Sequence, residues 1–206
     1  MFTGLVAAVG RITHLEPLAA DQQGGVRLTI DAGDLDMSDV RLGDSIAVQG
    51  ACMTVIAQQE RGFQVDVSRE SLNLTVGLDR EGEVNLEKSL RIGDQIGGHL
   101  VSGHVDGMGI VQRFDAVGES RELVIRVPPT LARFVAYKGS ITVNGISLTV
   151  NRVMDDVEGC DISINIIPHT QAVTTLRNVA PGDRVNLEVD TIARYVERML
   201  GIRSSV

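Results

Sequence analysis

The amino-acid sequence predicts a mostly β protein: two similar small closed barrels in tandem, followed by one amphipathic helix. Three observations carry that reading. The chain is written twice, each copy is a run of short strands cut by glycine turns, and one helical apolar stripe closes the chain. Phe2-Thr3-Gly4-Leu5-Val6, then Val9-Gly10, returns as Val101-Ser102-Gly103-His104-Val105, then Met108-Gly109, a shift of 99 positions. Ser45 to Val55 returns as Ser140 to Val150, and Arg69 to Thr75 aligns with Pro168 to Thr174. Val84-Asn85-Leu86-Glu87 closes one half as Val185-Asn186-Leu187-Glu188 closes the other. A duplicated chain points to two similar pockets.

Within each copy, Val26 to Ile30, Ser45 to Val48, Cys52 to Ile56 and Phe63 to Val67, with their second-half partners such as Leu123 to Val127, run apolar or alternate over strand length. Gly43, Gly50, Gly139 and Gly145 punctuate them. Short strands at this spacing favour a closed barrel over a parallel sheet. A short helix is expected before each Gly-x-Ser or Gly-Ser strand, the better candidate spanning Thr130 to Tyr137 after Pro128-Pro129. The clearest helix comes last: Ile192, Tyr195, Val196, Met199 and Leu200 form one stripe opposite Arg194, Glu197 and Arg198. Asp190 or Thr191 can cap its start, and Gly201 stands where a stop belongs. The first half has no such helix, since Lys88-Ser89-Leu90-Arg91 leads straight into the second copy. The stripe either folds back on its own barrel or joins chains. The division expected is 1–96 and 97–188 for the barrels and 189–206 for the helix and tail.

Composition removes whole classes of function. The chain has 206 residues, enough for two cores of roughly 100 residues each. A formal net charge of −8 argues against a nucleic-acid surface, and no basic run marks a membrane surface. No positive leader region, signal peptide or spanning apolar run is found. Cys52 and Cys160 are the two cysteines, one per half, with no metal spacing, so no metal is expected and a reducing, cytoplasmic setting is the simplest account.

Met1-Phe2-Thr3-Gly4, the junction Gly97-Gly98-His99-Leu100-Val101-Ser102-Gly103-His104-Val105-Asp106-Gly107, and Gly145-Ile146-Ser147-Leu148-Thr149-Val150 resemble riboflavin synthase, the duplicated lumazine-binding barrel family. The resemblance covers essentially the whole chain, and the junction motif is its most specific part. It implies two homologous six-stranded Greek-key barrels and a C-terminal helix that gathers three chains into a homotrimer. It also implies dismutation of two molecules of 6,7-dimethyl-8-ribityllumazine into riboflavin and 5-amino-6-ribitylaminouracil, without cofactor or metal. The site would lie between the N-barrel of one subunit and the C-barrel of another. Association with a lumazine synthase shell is a further expectation left open. Donor and acceptor are the same molecule, so two homologous pockets can hold them face to face, and holding them in register turns an encounter into a unimolecular step.

The motif match assigns ligand-facing residues. In the N-barrel these are Cys52, Met53, Thr54, Asp66, Val67, Ser68, Arg69, Glu70 and Ser71, with Gly103, His104 and Val105 from the second copy. In the C-barrel they are Ser147, Leu148, Thr149, Asn165, Ile166, Ile167, Pro168, His169 and Thr170, with Gly4, Leu5 and Val6 from the N-terminal segment. Cys52 is a candidate nucleophile or hydrogen-bonding group, set against the ordinary reading of a free cysteine as core filler; its repeat partner is Ser147. His104 is a candidate acid or base, against a purely structural imidazole. Ser45 and Asp190 match positions tied to activity, although Asp190 is equally placed to cap the last helix. Lys138 matches a residue reaching into the pocket from an adjacent chain, or is an exposed lysine. Cys160 is read as core and His99 as structural.

Gln49 stands where the resemblance leads one to expect Asn, while Asn144 is present in the second copy. Ala51, Met53, Ser71 and Val76 are softer matches, all in the first copy. Two other readings exist. A non-catalytic lumazine or flavin carrier would have no need of Cys52, His104, Lys138, Ser147 and Asp190 together. A flavin-dependent reductase would need a nicotinamide-binding domain, and no Gly-x-Gly-x-x-Gly between strand and helix is present.

Overall fold

A computed structural model describes residues 1–19 and 24–203, with the side chains of 202 and 203 left out. The expected tail at 204–206 therefore lies outside the described residues. Six strands make the first barrel: β1 (Ala8–Pro17), β2 (Val26–Asp31), β3 (Ser45–Val48), β4 (Ala51–Gln59), β5 (Gly62–Val67) and β6 (Gly82–Lys88). Their order around the closed antiparallel barrel is β1-β2-β5-β4-β3-β6. The second barrel repeats the pattern with β7 (Gly107–Val117), β8 (Ser120–Val127), β9 (Ser140–Val143), β10 (Ile146–Asp156), β11 (Gly159–Ile166) and β12 (Arg184–Val189). Around it the order is β7-β8-β11-β10-β9-β12, the same Greek-key-like path.

The repeat extends to the defects that close each barrel. Register slips by one residue between Ile12 and His14 on β1 and between Val55 and Ala57 on β4. The second barrel slips between Val111 and Arg113 and between Val150 and Arg152. Each extra residue bends its strand, and bending is what lets so short a sheet curl shut. Ile12, Leu28, Ile30, Phe63, Val65 and Leu86 fill the first interior. Leu123, Ile125, Ile141, Ile162, Ile164 and Leu187 fill the second, with Cys160 fully buried among them. At roughly 1.5–3 kcal/mol per fully buried large aliphatic side chain, each core is a separate source of stability.

The helices depart from expectation. The segment at 130–137 holds a helix, α2, only over Pro129–Ala132. Beyond it Phe134 N–H bonds Leu131 O and Val135 N–H bonds Ala132 O, the tighter spacing of a helix running out, since Leu131 is its one buried side chain. No helix forms before β3. There Asp31 and Asp36 accept the N–H groups of Gly33 and Ser38, local turns that compete with helix. Two helices that the sequence pattern did not reveal follow β5 and β11: α1 (Arg69–Leu74), capped by Ser68, and α3 (Pro168–Val173), begun by a proline. A 3₁₀ turn at Thr175–Asn178 follows α3. The closing helix α4 (Thr191–Arg203) is present, and Asp190 Oδ1 accepts Ile192 N–H at 2.8 Å. Its stripe does not fold onto its own barrel: Ile192, Tyr195, Val196, Met199 and Leu200 are 49–68 % exposed. Among the described residues no helix is long and apolar enough to cross a membrane.

Candidate lumazine-binding site

The two barrels exchange their leading segments. Phe2 pairs with Val101 in an antiparallel bridge, its N–H 2.7 Å from Val101 O, and both side chains are buried with Ala47 at the seam. The N-terminal segment then passes over the second barrel, where Ser147 N–H donates to Gly4 O at 2.8 Å and Val6 packs on that barrel's core. Reciprocally, Cys52 N–H donates to Gly103 O at 2.7 Å, and Val105 packs on the first core. Gly4 and Gly103 both have positive φ (77° and 78°), and a Cβ on either would lie 2.6–2.7 Å from Ser147 or Cys52. Only glycine lets the backbones approach so closely.

Two buried glutamates hold the exchanged segments. Glu87 accepts Thr3 N–H and Thr3 Oγ1–H, both at 2.7 Å, and Gly4 N–H at 3.0 Å. Glu188 accepts Ser102 N–H at 2.7 Å, Ser102 Oγ–H at 2.6 Å and Gly103 N–H at 2.9 Å. Burial pushes the Glu87 carboxyl above its ordinary range, and the bonds from Thr3 and Gly4 oppose it. The sequence reading assigned these glutamates no role. Their signal was their identical place at the end of each copy.

On the first barrel a cavity of about 200 Å³ is lined by Cys52, Met53, Glu70, Ser71, Gly103, His104 and Val105 together with Thr75. Seven predicted residues from three distant stretches thus meet in one hollow. Of the others in that group, Thr54 pairs with Ser45 across β3 and β4. Asp66 forms a two-pronged ion pair with Arg27 (2.8 and 3.0 Å), and Val67 is in the core. Ser68 caps α1, and Arg69 holds Gly24 O. Ser45 lines a different hollow, shared with Glu87 and Lys88.

On the second barrel Ser147 Oγ lies 2.7 Å from His99 Nδ1. His99, read from sequence as structural, therefore touches a predicted site residue. Burial pushes its imidazole below the ordinary value, against the pull of Asp190 and Glu188, so it is neutral at pH 7. Among the described residues the side chain of Cys52, the counterpart of Ser147, makes no such bond. The counterpart positions Cys52 and Ser147 are thus chemically unequal. Leu148 packs against the core and Ile166 is in it, while Thr149, Asn165, Ile167, Pro168 and His169 are exposed and Thr170 O accepts Thr174 Oγ1–H at 2.7 Å. Lys138 is exposed, its Nζ 2.9 Å from Asn151 Oδ1. Among the described residues no group of three His, Cys, Asp or Glu is placed to hold a metal.

Gln49 makes the same contact as its counterpart. Its Oε1 accepts Asn85 N–H at 2.9 Å, as Asn144 Oδ1 accepts Asn186 N–H at 2.8 Å. Across the seam Asn85 Nδ2 donates to Asn144 O (2.9 Å) and Asn186 Nδ2 donates to Gln49 O (3.0 Å). The turns Gln49-Gly50 and Asn144-Gly145 thereby lock back to back.

The chain is thus a duplicated six-stranded barrel protein with exchanged leading segments. The lumazine-binding-domain model matches the chain twice, at residues 3–89 and 102–190. The chain is similar to the riboflavin synthase of Mycobacterium tuberculosis, 45 % identical over 205 residues, 97 % of this chain and 98 % of that one. It is 41 % identical to the riboflavin synthase of Brucella abortus over 207 residues, covering 97 % of this chain and 98 % of the other. Its fold also matches crystal structures of LumP with riboflavin (TM-score 0.80, 24 % identity) and with 6,7-dimethyl-8-(1'-D-ribityl) lumazine (TM-score 0.77, 23 % identity), each covering 92 % of this chain and 99 % of that one. The chain is a tandem lumazine-binding-domain protein. It belongs to the riboflavin synthase family, a family of transferases.

Proposed function

We propose that this chain takes two molecules of 6,7-dimethyl-8-ribityllumazine and moves a four-carbon unit from one to the other. The products are riboflavin and 5-amino-6-ribitylaminouracil, with no cofactor or metal. The observation that carries the reading is the unequal pair of repeat-related positions: Cys52 in a hollow with His104 on one barrel, and Ser147 bonded to His99 on the other. Inequality suits the reaction, because identical substrates must do opposite jobs. The neutral imidazole of His99 supports a role for Ser147 as a polarised hydroxyl. Cys52 and His104 are the groups proposed to meet the ligand of the N-barrel.

The reacting pair lies, in this reading, between the N-barrel of one subunit and the C-barrel of another. The exposed stripe of α4 gathers three chains, with residues 1–96 and 97–188 as the barrels. Lys138 is proposed to reach the site from an adjacent subunit, and Ser45 and Asp190 to act through a bound water or a ligand contact. A cytoplasmic location, and docking with lumazine synthase, belong to the same proposal. The test is turnover with the lumazine as sole substrate: one pyrimidine released per riboflavin formed is expected. A requirement for added metal, NADPH or a second substrate overturns it.

A further inference from the structure

A cleft of about 630 Å³ lies between the barrels where the Gln49-Gly50 and Asn144-Gly145 turns meet, and it shares no lining residue with the hollow around Cys52. Among the arginines with described side chains, Arg11, Arg41, Arg80, Arg184 and Arg198 make no ion pair and no side-chain hydrogen bond. Three of these five, Arg11, Arg80 and Arg184, line this cleft in a chain of net charge −8. Its floor holds the side-chain amides of Gln49 and Asn144, residues only 8 % and 3 % exposed. Both amides spend their oxygens on backbone N–H groups, which leaves the NH₂ ends as donors. The Gln49 NH₂ reaches Thr175 Oγ1 only at 3.5 Å, and that of Asn144 has no partner among the described residues.

The acidic side chains there are largely committed. Glu83 takes Arg177 at 2.9 Å and Asn178 at 2.7 Å, and Asp183 accepts Ala180 N–H at 2.8 Å. Glu81 alone makes no such contact. Amide N–H groups that are weakly engaged beside a cleft can donate to an anion, and guanidinium groups fit phosphate oxygens in pairs. We propose that this cleft binds a phosphate-bearing small molecule, at a site separate from the hollow around Cys52 and from the Ser147–His99 pair. Arg11 is on β1 of one barrel and Arg184 on β12 of the other, so the bound anion bridges the seam and braces the two barrels together.

The test uses the full-length protein and inorganic pyrophosphate, read by titration calorimetry and by the unfolding midpoint, at low and at physiological ionic strength. Saturable binding with one site per chain, and a raised midpoint, are expected. Combining Arg11→Gln with Arg184→Gln should weaken binding about tenfold or more, whereas Arg41→Gln with Arg198→Gln should leave it unchanged. Arg80→Gln, outside any strand, supplies the same readout independently of strand integrity. Absence of saturable binding, equal loss in the Arg41/Arg198 pair, or displacement of pyrophosphate by riboflavin overturns the proposal. None of these readouts depends on riboflavin formation.

Discussion

Arg194 on the closing helix grips Asp106, two residues beyond His104, with both ends of its guanidinium: Nη1 to Oδ1 at 2.7 Å and Nη2 to Oδ2 at 2.9 Å. Asp106 Oδ2 also accepts Val189 N–H at 2.8 Å, and its side chain is only 13 % exposed. The segment that carries His104 over the first barrel is thereby tied to the orientation of α4. Breaking this two-pronged pair leaves the mostly buried Asp106 carboxylate without its partner. A double-mutant cycle of Asp106→Asn and Arg194→Gln should give a coupling of about 1 kcal/mol or more in denaturant unfolding. A value near zero would mean the pair is merely exposed decoration.

Acid stability should report on His99. Its folded-state value lies below the ordinary 6.5, so between the two values the unfolded chain binds the extra proton. Stability contributed by neutral His99 is therefore complete above pH 6.5 and declines as the pH falls through that window. His99→Asn should flatten this part of the stability–pH curve. It should also lower turnover more than it weakens lumazine binding, the pattern of a contact made in the transition state.

The thiols should separate cleanly. Cys160 is fully buried and burial pushes its thiol up to about 11, so it stays protonated and unreactive at pH 8. Cys52 is partly exposed in its hollow. One thiol per chain should react with a disulfide reagent in the native protein and two after unfolding, with riboflavin slowing the first. Cys52→Ala is expected to reduce turnover more than affinity, and unchanged turnover would return Cys52 to the class of core fillers.

Glycines at the seam should be far less replaceable than those in open turns. A Cβ on Gly50 would lie 2.7 Å from Gly145 N, whereas one on Gly43 meets nothing, although both residues have φ near 90°. Gly43→Ala should cost about 1 kcal/mol, from backbone strain alone. Gly50→Ala should cost several-fold more, since two backbones must also part. Equal unfolding midpoints for the two variants would refute the back-to-back packing.

Ending the chain at Asp190 should abolish both association and activity. The five apolar side chains of α4 are each worth roughly 1.5–3 kcal/mol if fully buried against other chains. Sedimentation and turnover give the check. A truncated protein that remains trimeric, or is monomeric yet fully active, would rule out both α4 as the assembly element and a site between subunits.

Much of this molecule is legible in its sequence. Duplication, strand positions and the closing helix follow from local pattern, because alternation and the 3.6-residue stripe are set by which side chains face a core. The exchange of Gly4 and Gly103 between barrels was also readable, through the repeat and the family resemblance. Tertiary structure decided what depends on distant neighbours. α2 stops at Ala132, and Phe134 and Val135 beyond it pack on the second core from the turn that follows rather than from a helix. His99 joins Ser147, and Arg194 joins Asp106, across 48 and 88 residues of chain. The paired roles of Glu87 and Glu188 exist only once two segments 80 or more residues away bring their N–H groups to them. Sequence periodicity specifies which way a residue points, but closing a barrel is what selects the residue it meets there.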